Sequence, residues 1–218
     1  MLKYSTIFFD LDGTLCDSLT GIQNCIEYTL AQFGIKLTAD SDIKKLIGMP
    51  LQESLEQFYF HDKDKAWEAV GFFRKHYEIN GICQCTLYTG IATLLKTLKE
   101  QGANLYILTA KPTPYAKKIA AFHNVDNYFD AILGCELDGS NSEKSFLIDS
   151  VLRKMPNRSA QDCVMVGDRK HDVFAGKATG INTIGILYGY GSSEELKNAG
   201  ADHCFATVED LKNFLLLQ

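Results

Sequence analysis

The 218-residue sequence has few prolines, no excess of basic residues and no long apolar run. Four prolines and 46% hydrophobic residues exclude a collagen-like or intrinsically disordered chain. Lysine and arginine number 22 against 27 aspartates and glutamates, for a formal net charge of −5. We therefore expect no nucleic-acid partner, because proteins that bind the phosphate backbone usually carry a clustered positive excess. No stretch approaches the roughly 20 apolar residues of a membrane span, so no membrane partner is expected either.

The seven cysteines are an odd number scattered through apolar segments. This distribution favours buried thiols in a reducing compartment over a disulfide framework. Cys83 and Cys85 form the one close pair, and a single C-x-C without a second pair is weak evidence for a metal site. Near the start of the chain, Asp10 and Asp12 interrupt the apolar stretch before it reaches the length of a signal sequence. We therefore expect a cytoplasmic protein.

Short apolar runs alternate with amphipathic stretches over most of the chain. This alternation predicts an α/β fold with a parallel sheet. The predicted strands are Tyr4–Phe9, Ala103–Leu108, Ala131–Leu133, Cys163–Val166, Asn182–Ile186 and His203–Ala206. The predicted helices are 90–101, 113–123, 143–154, 171–179, 193–199 and 207–216.

The alternation is interrupted between residues 17 and 86, where no convincing strand pattern occurs. Apolar residues recur there at helical spacing, for example Leu19, Ile22 and Ile26. We therefore predict an all-helical domain at residues 17–86, inserted into a core formed by residues 1–16 and 87–218. Removing the insert leaves a core close to the usual size of a single domain.

A first pair of carboxylates follows the first predicted strand. Asp10 and Asp12 are two residues apart, so they lie on the same side if the extended conformation persists. A calcium-binding loop is excluded because Gly21 stands where its last ligand, a glutamate, is required. Parallel α/β proteins place their sites at the carboxyl edge of the sheet, so a functional role is favoured over solvated turn residues.

A second pair, Asp168 and Asp172, follows the apolar run Cys163–Val166. Asp172 could instead cap the helix that begins near residue 173. Asp168 is harder to explain by a structural role alone. Together the two pairs offer up to four carboxylates, which is the hard-oxygen environment that suits Mg²⁺.

A hydroxyl and a cation complete the set of candidates. Thr109 directly follows the second predicted strand, where its hydroxyl could donate to an anion. Lys144 lies at the start of the helix at 143–154, where the macrodipole disfavours a cation. A solvated surface lysine is common, but this placement indicates a negative partner, either a phosphate or one of the aspartates.

In order and spacing, four motifs resemble those of the haloacid dehalogenase superfamily: Asp10-Leu11-Asp12-Gly13-Thr14, Thr109, Lys144 and Gly167-Asp168-x-x-x-Asp172. The resemblance covers essentially the whole chain. It implies a Rossmann-like catalytic core, with the helical insert as the family's C1 cap. Leu187–Gly191 resembles the phosphoglycolate phosphatase-like branch. Departures from the family pattern are Tyr88-Thr89-Gly90 in place of Tyr-Pro-Gly, and Arg169 and His171 in the fourth motif.

The resemblance implies a Mg²⁺-dependent phosphatase acting on a small phosphorylated metabolite such as phosphoglycolate. Asp10 would be the nucleophile that forms an aspartyl-phosphate, and Asp12 would be the general acid and then the base. Thr109 and Lys144 would bind the substrate phosphate. The metal ligands would be Asp10, the carbonyl of Asp12, Asp168 and Asp172, the last directly or through water.

Several alternatives stay open within and outside this family. A 5'-nucleotidase-like phosphatase or a β-phosphoglucomutase-like phosphotransferase would differ mainly in the cap. A dehalogenase needs neither Asp12 nor Asp168, so the presence of both residues counts against that activity. A non-catalytic phosphate-binding regulator would not need both Asp10 and Asp12, so their presence counts against that function too. In the insert, we interpret Gly48–Gln52 as a turn between helices rather than a substrate contact, and Phe58–His61 as aromatic packing. The expected assembly is a monomer or weak homodimer.

Overall fold

The computed structural model describes residues 1–37, 43–155 and 159–217. Along the chain its helices and strands are β1 (Thr6–Phe9), β2 (Cys16–Asp17), α1 (Leu19–Ala31), α2 (Leu51–Leu55), α3 (Lys63–His76), β3 (Thr86–Leu87), α4 (Ile91–Glu100), β4 (Asn104–Pro112), α5 (Thr113–Phe122), β5 (Ala131–Cys135), α6 (Lys144–Leu152), β6 (Cys163–Gly167), α7 (Lys170–Ala178), β7 (Asn182–Ile186), α8 (Ser193–Asn198), β8 (His203–Phe205) and α9 (Val208–Leu215).

Six of the strands form one parallel sheet in the order β5-β4-β1-β6-β7-β8. This confirms the predicted α/β fold with a parallel sheet. Every residue of β1 and β6, the two central strands, is buried. Strands covered on both faces are apolar throughout, which is why both were recognisable as continuous apolar runs. Because β1 and β6 are neighbours, the residues that follow them meet at one edge of the sheet.

The boundaries of the strands differ from the predicted ones mainly at β4. It was expected to end at Leu108 but continues to Pro112, with a register shift against β5 between Thr109 and Pro112. The apolar pattern stops at Leu108 because the residues beyond it include a buried hydroxyl and a charged side chain. β7 has the predicted limits, Asn182–Ile186.

The described elements between β2 and β3 are helical. They comprise α1, α2, α3, a 3₁₀ turn at Ile43–Lys45 and π turns at Glu56–Phe60 and Tyr77–Gly81. In this segment Phe60 packs edge-on against Phe33, with ring centroids 4.8 Å apart. Edge-to-face contact is a preferred arrangement of aromatic pairs. The assignment of residues 17–86 as a separate domain stays a prediction.

A two-stranded antiparallel ribbon closes this helical segment at both ends. Cys16 lies opposite Leu87, and Asp17 lies opposite Thr86. The ribbon was not predicted, because two residues are too few to show an alternating pattern. The chain therefore leaves the large sheet shortly after Asp12 and returns to it at the same place, beside Cys16 and Asp17.

Apolar side chains fill both faces of the large sheet. Ile7 and Phe9 of β1 belong to the cluster that continues into the helical segment, whereas Phe8 packs on the other face with Tyr106 and Met165. Five of the seven cysteines are buried, and none forms a disulfide. Within the described ranges, no helix combines the length and the apolar character needed to cross a bilayer.

Candidate active site

Three of the predicted aspartates lie together at the carboxyl edge of the sheet. Asp10 follows β1, Asp168 follows β6, and Asp172 lies in the first turn of α7. Each offers a carboxylate oxygen, and these oxygens all lie within 4.8 Å of one another. All three residues are at most 2% exposed. Adjacent parallel strands thus bring together carboxylates that are far apart along the chain.

Lys144 bridges two of these carboxylates. Its Nζ lies 2.9 Å from Asp10 Oδ2 and 2.5 Å from Asp172 Oδ1, and the lysine side chain is 4% exposed. The unfavourable position of this cation at the start of α6 is therefore offset by two buried ion pairs. A negative partner was expected for this lysine, and the structure provides two.

The cluster keeps an excess of negative charge because one ammonium faces three carboxylates. Burial raises the pKa of Asp10 to about 7, with Lys144 lowering it and the Asp172 charge raising it. Burial also raises the pKa of Asp168 well above its usual range, helped by repulsion from Asp10 and Asp172. Buried carboxylate oxygens with uncompensated charge are the donor set that a hard divalent cation requires, so these residues fit Mg²⁺.

Hydrogen bonds from two loops orient Asp168. The Thr14 hydroxyl donates to Oδ1 at 3.2 Å, and the backbone N–H of Tyr190 donates to Oδ2 at 2.7 Å. Thr14 belongs to the first motif and Tyr190 to the tail after β7. The supporting role of Tyr190 is not visible in the sequence, since the contact depends on a backbone group.

Asp172 stabilises the start of α7, but from inside the first turn rather than as the N-cap that the sequence suggested, because the helix begins at Lys170. Its Oδ2 accepts a hydrogen bond from the backbone N–H of Arg169, the N-cap residue, at 3.1 Å. Its Oδ1 accepts from Lys144. One carboxylate thus stabilises the helix start and contributes to the charged cluster.

Thr109 and Asp12 lie beside the cluster. Thr109 is 2% exposed, and its hydroxyl accepts a hydrogen bond from the backbone N–H of Lys111 at 3.2 Å. The Asp12 carboxylate does not join the three clustered aspartates; its Oδ1 lies 2.7 Å from Nζ of Lys111. Lys111 was not among the predicted site residues. The available signal was a cation immediately before α5, the same unfavourable placement that singled out Lys144.

A cavity of about 130 Å³ connects this edge of the sheet with the helical segment. Asp10, Asp12 and Thr109 lie on its sheet side. Most of the opposite wall is apolar, and its lining residues include Ile22, Met49, Leu51, Trp67 and Phe73. All of Gly48–Gln52 line the cavity. Residues 48–50 form the predicted turn, whereas Leu51 and Gln52 already belong to α2. The segment was interpreted as a turn rather than a substrate contact, so its place in the wall of the candidate site was not expected.

Arg169 ties the helical segment to the sheet domain. Its Nη1 donates to the carbonyl oxygens of Lys44 and Ile47, and its Nε lies 2.9 Å from Oε1 of Glu195. Gly48 approaches the arginine stem so closely that a Cβ there would lie 2.9 Å from Cγ of Arg169. From the sequence, Arg169 stood out only as a departure from the family pattern, because two of its partners are carbonyl oxygens, which have no sequence signature.

Comparisons with known proteins agree on one family. A family model described as haloacid dehalogenase-like hydrolase matches residues 7–186. A 5'-nucleotidase of Pseudomonas aeruginosa is 37% identical over 214 residues, which cover 98% of this chain and 96% of that protein. A phosphoglycolate phosphatase of Aquifex aeolicus is 34% identical over 185 residues, 84% of this chain and 85% of that protein. The crystal structure of a protein described as a predicted phosphatase from Clostridium acetobutylicum has a TM-score of 0.93 at 37% identity and covers 99% of each chain.

Proposed function

This chain belongs to the haloacid dehalogenase-like hydrolase family, and from that premise we propose that it is a Mg²⁺-dependent phosphomonoester phosphatase that works through an aspartyl-phosphate. The observation that carries the proposal is the position of Asp10. It lines the cavity, shares a buried cluster with Asp168 and Asp172, and lies two residues from a second carboxylate that is held apart from that cluster.

Asp10 is the proposed nucleophile. Its Oδ1 accepts a hydrogen bond from the backbone N–H of Leu11 at 2.7 Å, and Oδ2 contacts Lys144. These contacts orient the carboxylate. One of its oxygens attacks phosphorus, the bond from phosphorus to the ester oxygen breaks, and the phosphoryl group is transferred to Asp10.

Asp12 is the proposed general acid and base. In the first step it gives a proton to the departing ester oxygen, so the alcohol leaves neutral. In the second step it takes a proton from water, the water oxygen bonds to phosphorus, and the bond from phosphorus to Asp10 breaks. Inorganic phosphate leaves, and both aspartates return to their starting state. The pairing of Asp12 with Lys111, outside the carboxylate cluster, suits a residue that serves the leaving group rather than the metal.

Asp10, Asp168 and Asp172 would hold Mg²⁺ through carboxylate oxygens, and the carbonyl of Asp12 would complete the protein's share. When bound, the ion supplies positive charge that offsets the negative charge of the transferring phosphoryl group. Thr109 and Lys144 would bind the phosphoryl oxygens as hydroxyl and ammonium donors. The excess of carboxylates over ammonium groups in the cluster supports its assignment as the Mg²⁺ site.

The cavity wall bears on the choice between two substrate classes. Its apolar and aromatic residues, such as Met49, Trp67 and Tyr115, favour an ester whose organic part carries a ring, such as a nucleoside monophosphate. Phosphoglycolate is the second candidate, because its additional carboxylate would need a cation, and Arg74 of the helical segment also lines the cavity. The names of the Pseudomonas and Aquifex relatives correspond to these two classes.

Phosphate release from p-nitrophenyl phosphate, measured with Mg²⁺ and with EDTA, tests the proposal. We expect activity that EDTA abolishes and added Mg²⁺ restores, and an Asp10→Asn variant without turnover. Asp64→Asn, at an exposed position in α3, is the control. Turnover that survives chelation would exclude the metal role, and a fully active Asp10→Asn would exclude the nucleophile. A panel of nucleoside monophosphates, phosphoglycolate and glucose 1-phosphate then assigns the substrate class, with isomerisation of glucose 1-phosphate indicating a mutase instead.

A further inference from the structure

Lys111 lies between Asp12 and a tyrosine of the helical segment. Its Nζ is 2.7 Å from Asp12 Oδ1 and donates to the Tyr77 hydroxyl at 2.8 Å. The Lys111 and Asp12 side chains are 8% and 10% exposed, and Tyr77 is 2% exposed. A buried ammonium group therefore connects a carboxylate of the sheet edge with a hydroxyl that comes from the other side of the cavity.

Tyr77 is held firmly enough to position the lysine. Its ring stacks on Phe73 with centroids 5.3 Å apart and packs edge-on against Tyr115 at 5.6 Å. Nζ of Lys111 lies 5.1 Å from the centre of the Tyr77 ring and 2.8 Å from its hydroxyl, so the ammonium group lies beyond the hydroxyl end of the ring. The fixed ring therefore fixes the position of the hydroxyl that accepts from Lys111.

We propose that Lys111, held by Tyr77, is a positioning residue that orients Asp12 for proton transfer to the leaving group. The inference rests on the proposed phosphatase function. An ammonium group has donors and no acceptor, so the oxygen that contacts Lys111 cannot direct a proton toward it. Of the two carboxylate oxygens, Oδ2 is therefore the one that can exchange a proton with the leaving group. In the transfer, the O–H bond at Oδ2 breaks and the proton goes to the ester oxygen as its bond to phosphorus breaks.

The arrangement also makes the acid depend on the helical segment. Tyr77 closes the end of α3, and Lys111 lies on β4 of the sheet. Asp12 is therefore fully oriented only when the helical segment is seated over the sheet edge. A group that is aligned only when the site is covered limits proton transfer while the cavity is open to water.

A comparison of two substrates with different leaving groups distinguishes this role from a merely structural one. Phenyl phosphate and p-nitrophenyl phosphate differ little in shape, but phenolate is the poorer leaving group and depends more on a proton donor. We expect Lys111→Met to lower kcat/KM for phenyl phosphate about tenfold more than for p-nitrophenyl phosphate, within the usual size of general acid catalysis. Tyr77→Phe should change the same ratio in the same direction by a smaller factor. Lys111→Arg, which keeps the charge, should recover part of the loss.

Two matched variants serve as controls. Lys99→Met removes another lysine–aspartate pair, with Asp130 at 2.8 Å on the protein surface. Tyr28→Phe removes a hydroxyl from the helical segment at a residue that stacks on His76. Both should leave the ratio of the two kcat/KM values unchanged.

Each outcome decides between the hypotheses. An equal loss on both esters, or no loss, in Lys111→Met overturns the positioning role. If that variant does not fold, an unchanged ratio in Tyr77→Phe overturns the role, and a changed ratio supports it. A wild-type protein that releases phosphate from neither ester refutes the proposed function itself, a result that differs from active wild type with an unchanged ratio.

Discussion

Gly13 faces the carboxylate of Asp168 so closely that a Cβ on Gly13 would lie 2.2 Å from Oδ2 of Asp168. The backbone of Gly13 also has a φ of +85°, a conformation that side chains rarely adopt. Gly189 approaches the same residue, and a Cβ there would lie 2.4 Å from Cβ of Asp168. Two loops therefore close on this carboxylate only because both contribute glycine.

We expect Gly13→Ala to disrupt the site. The added methyl would displace the Asp168 carboxylate in addition to straining the backbone. Gly34→Ala is the matched control, because Gly34 has a φ of +70° with nothing within 4 Å of the added Cβ. In the control, the free energy of unfolding should fall only by the cost of the strained backbone, about 1–2 kcal/mol. Urea unfolding should show a larger loss for Gly13→Ala, and phosphate release should fall in that variant alone. Equal unfolding losses would contradict the crowding argument.

Mg²⁺ should stabilise the protein through the carboxylate cluster. A ligand at one hundred times its Kd raises the free energy of unfolding by about 2.7 kcal/mol. Thermal unfolding in Mg²⁺ and in EDTA should therefore differ for the wild type. The difference should shrink in Asp168→Asn, which removes one carboxylate of the cluster, and persist in the exposed control Asp64→Asn. An unchanged Mg²⁺ effect in Asp168→Asn would place the ion elsewhere.

Loss of the Arg169 side chain should loosen the segment at residues 43–50. Arg169→Gln removes the guanidinium group that donates to the carbonyl oxygens of Lys44 and Ile47. Hydrogen bonds from a charged group contribute about 1.5–3 kcal/mol, so trypsin should cut after Lys44 and Lys45 at least about tenfold faster.

The proteolysis control removes a charged contact elsewhere. Lys177→Gln breaks the ion pair with Asp202, which is partly exposed and lies on the sheet domain. Mass spectrometry of the first fragments should show no faster cleavage after Lys44 or Lys45 in this variant. The role given to Arg169 fails if both variants are cut at the wild-type rate.

The Cys85 thiol should titrate at a pH well below that of an ordinary cysteine. Its pKa is lowered from 9.0 to about 6 because the Cys16 thiol donates a hydrogen bond to it, and because His123 Nε2 lies 3.3 Å from its sulfur. Thiolate absorbance at 240 nm should rise with a midpoint near pH 6. The rise should be absent in Cys85→Ser and retained in Cys83→Ser, at an exposed cysteine two residues away.

The same shift has a consequence for stability. The pKa of Cys85 is lower in the folded than in the unfolded state, so the thiolate's contribution is fully present above about pH 9 and is lost as pH falls through about 6. The stability of the wild type relative to Cys85→Ser should therefore increase with pH between these values. A flat difference in urea unfolding across this range would contradict the lowered pKa.

The parts of the fold that were predictable are those with a local cause. β1 and β6 are covered on both faces, so their sequences are apolar throughout, and Asp10 and Asp168 stand out as charges at their ends. Lys144 was identifiable because the helix macrodipole disfavours a cation at a helix start, so a lysine there indicates a negative partner. The ribbon of β2 and β3 was not predictable, since two residues carry no periodicity. The position of Gly48–Gln52 in the cavity wall was not predictable either, because a turn composition is the same whether or not a cavity lies beneath it.

The sequence by itself determined the parallel α/β architecture, the interrupting helical segment and the acidic residues at the strand ends, since each follows from periodicity or from charge next to a buried run. Only the tertiary structure decided how these groups are paired. Lys144 contacts Asp10 and Asp172, Lys111 contacts Asp12, and Arg169 reaches carbonyl oxygens of the helical segment. Such contacts join residues far apart in the chain, and they depend on strand order and on where the helical segment lies, neither of which leaves a local pattern.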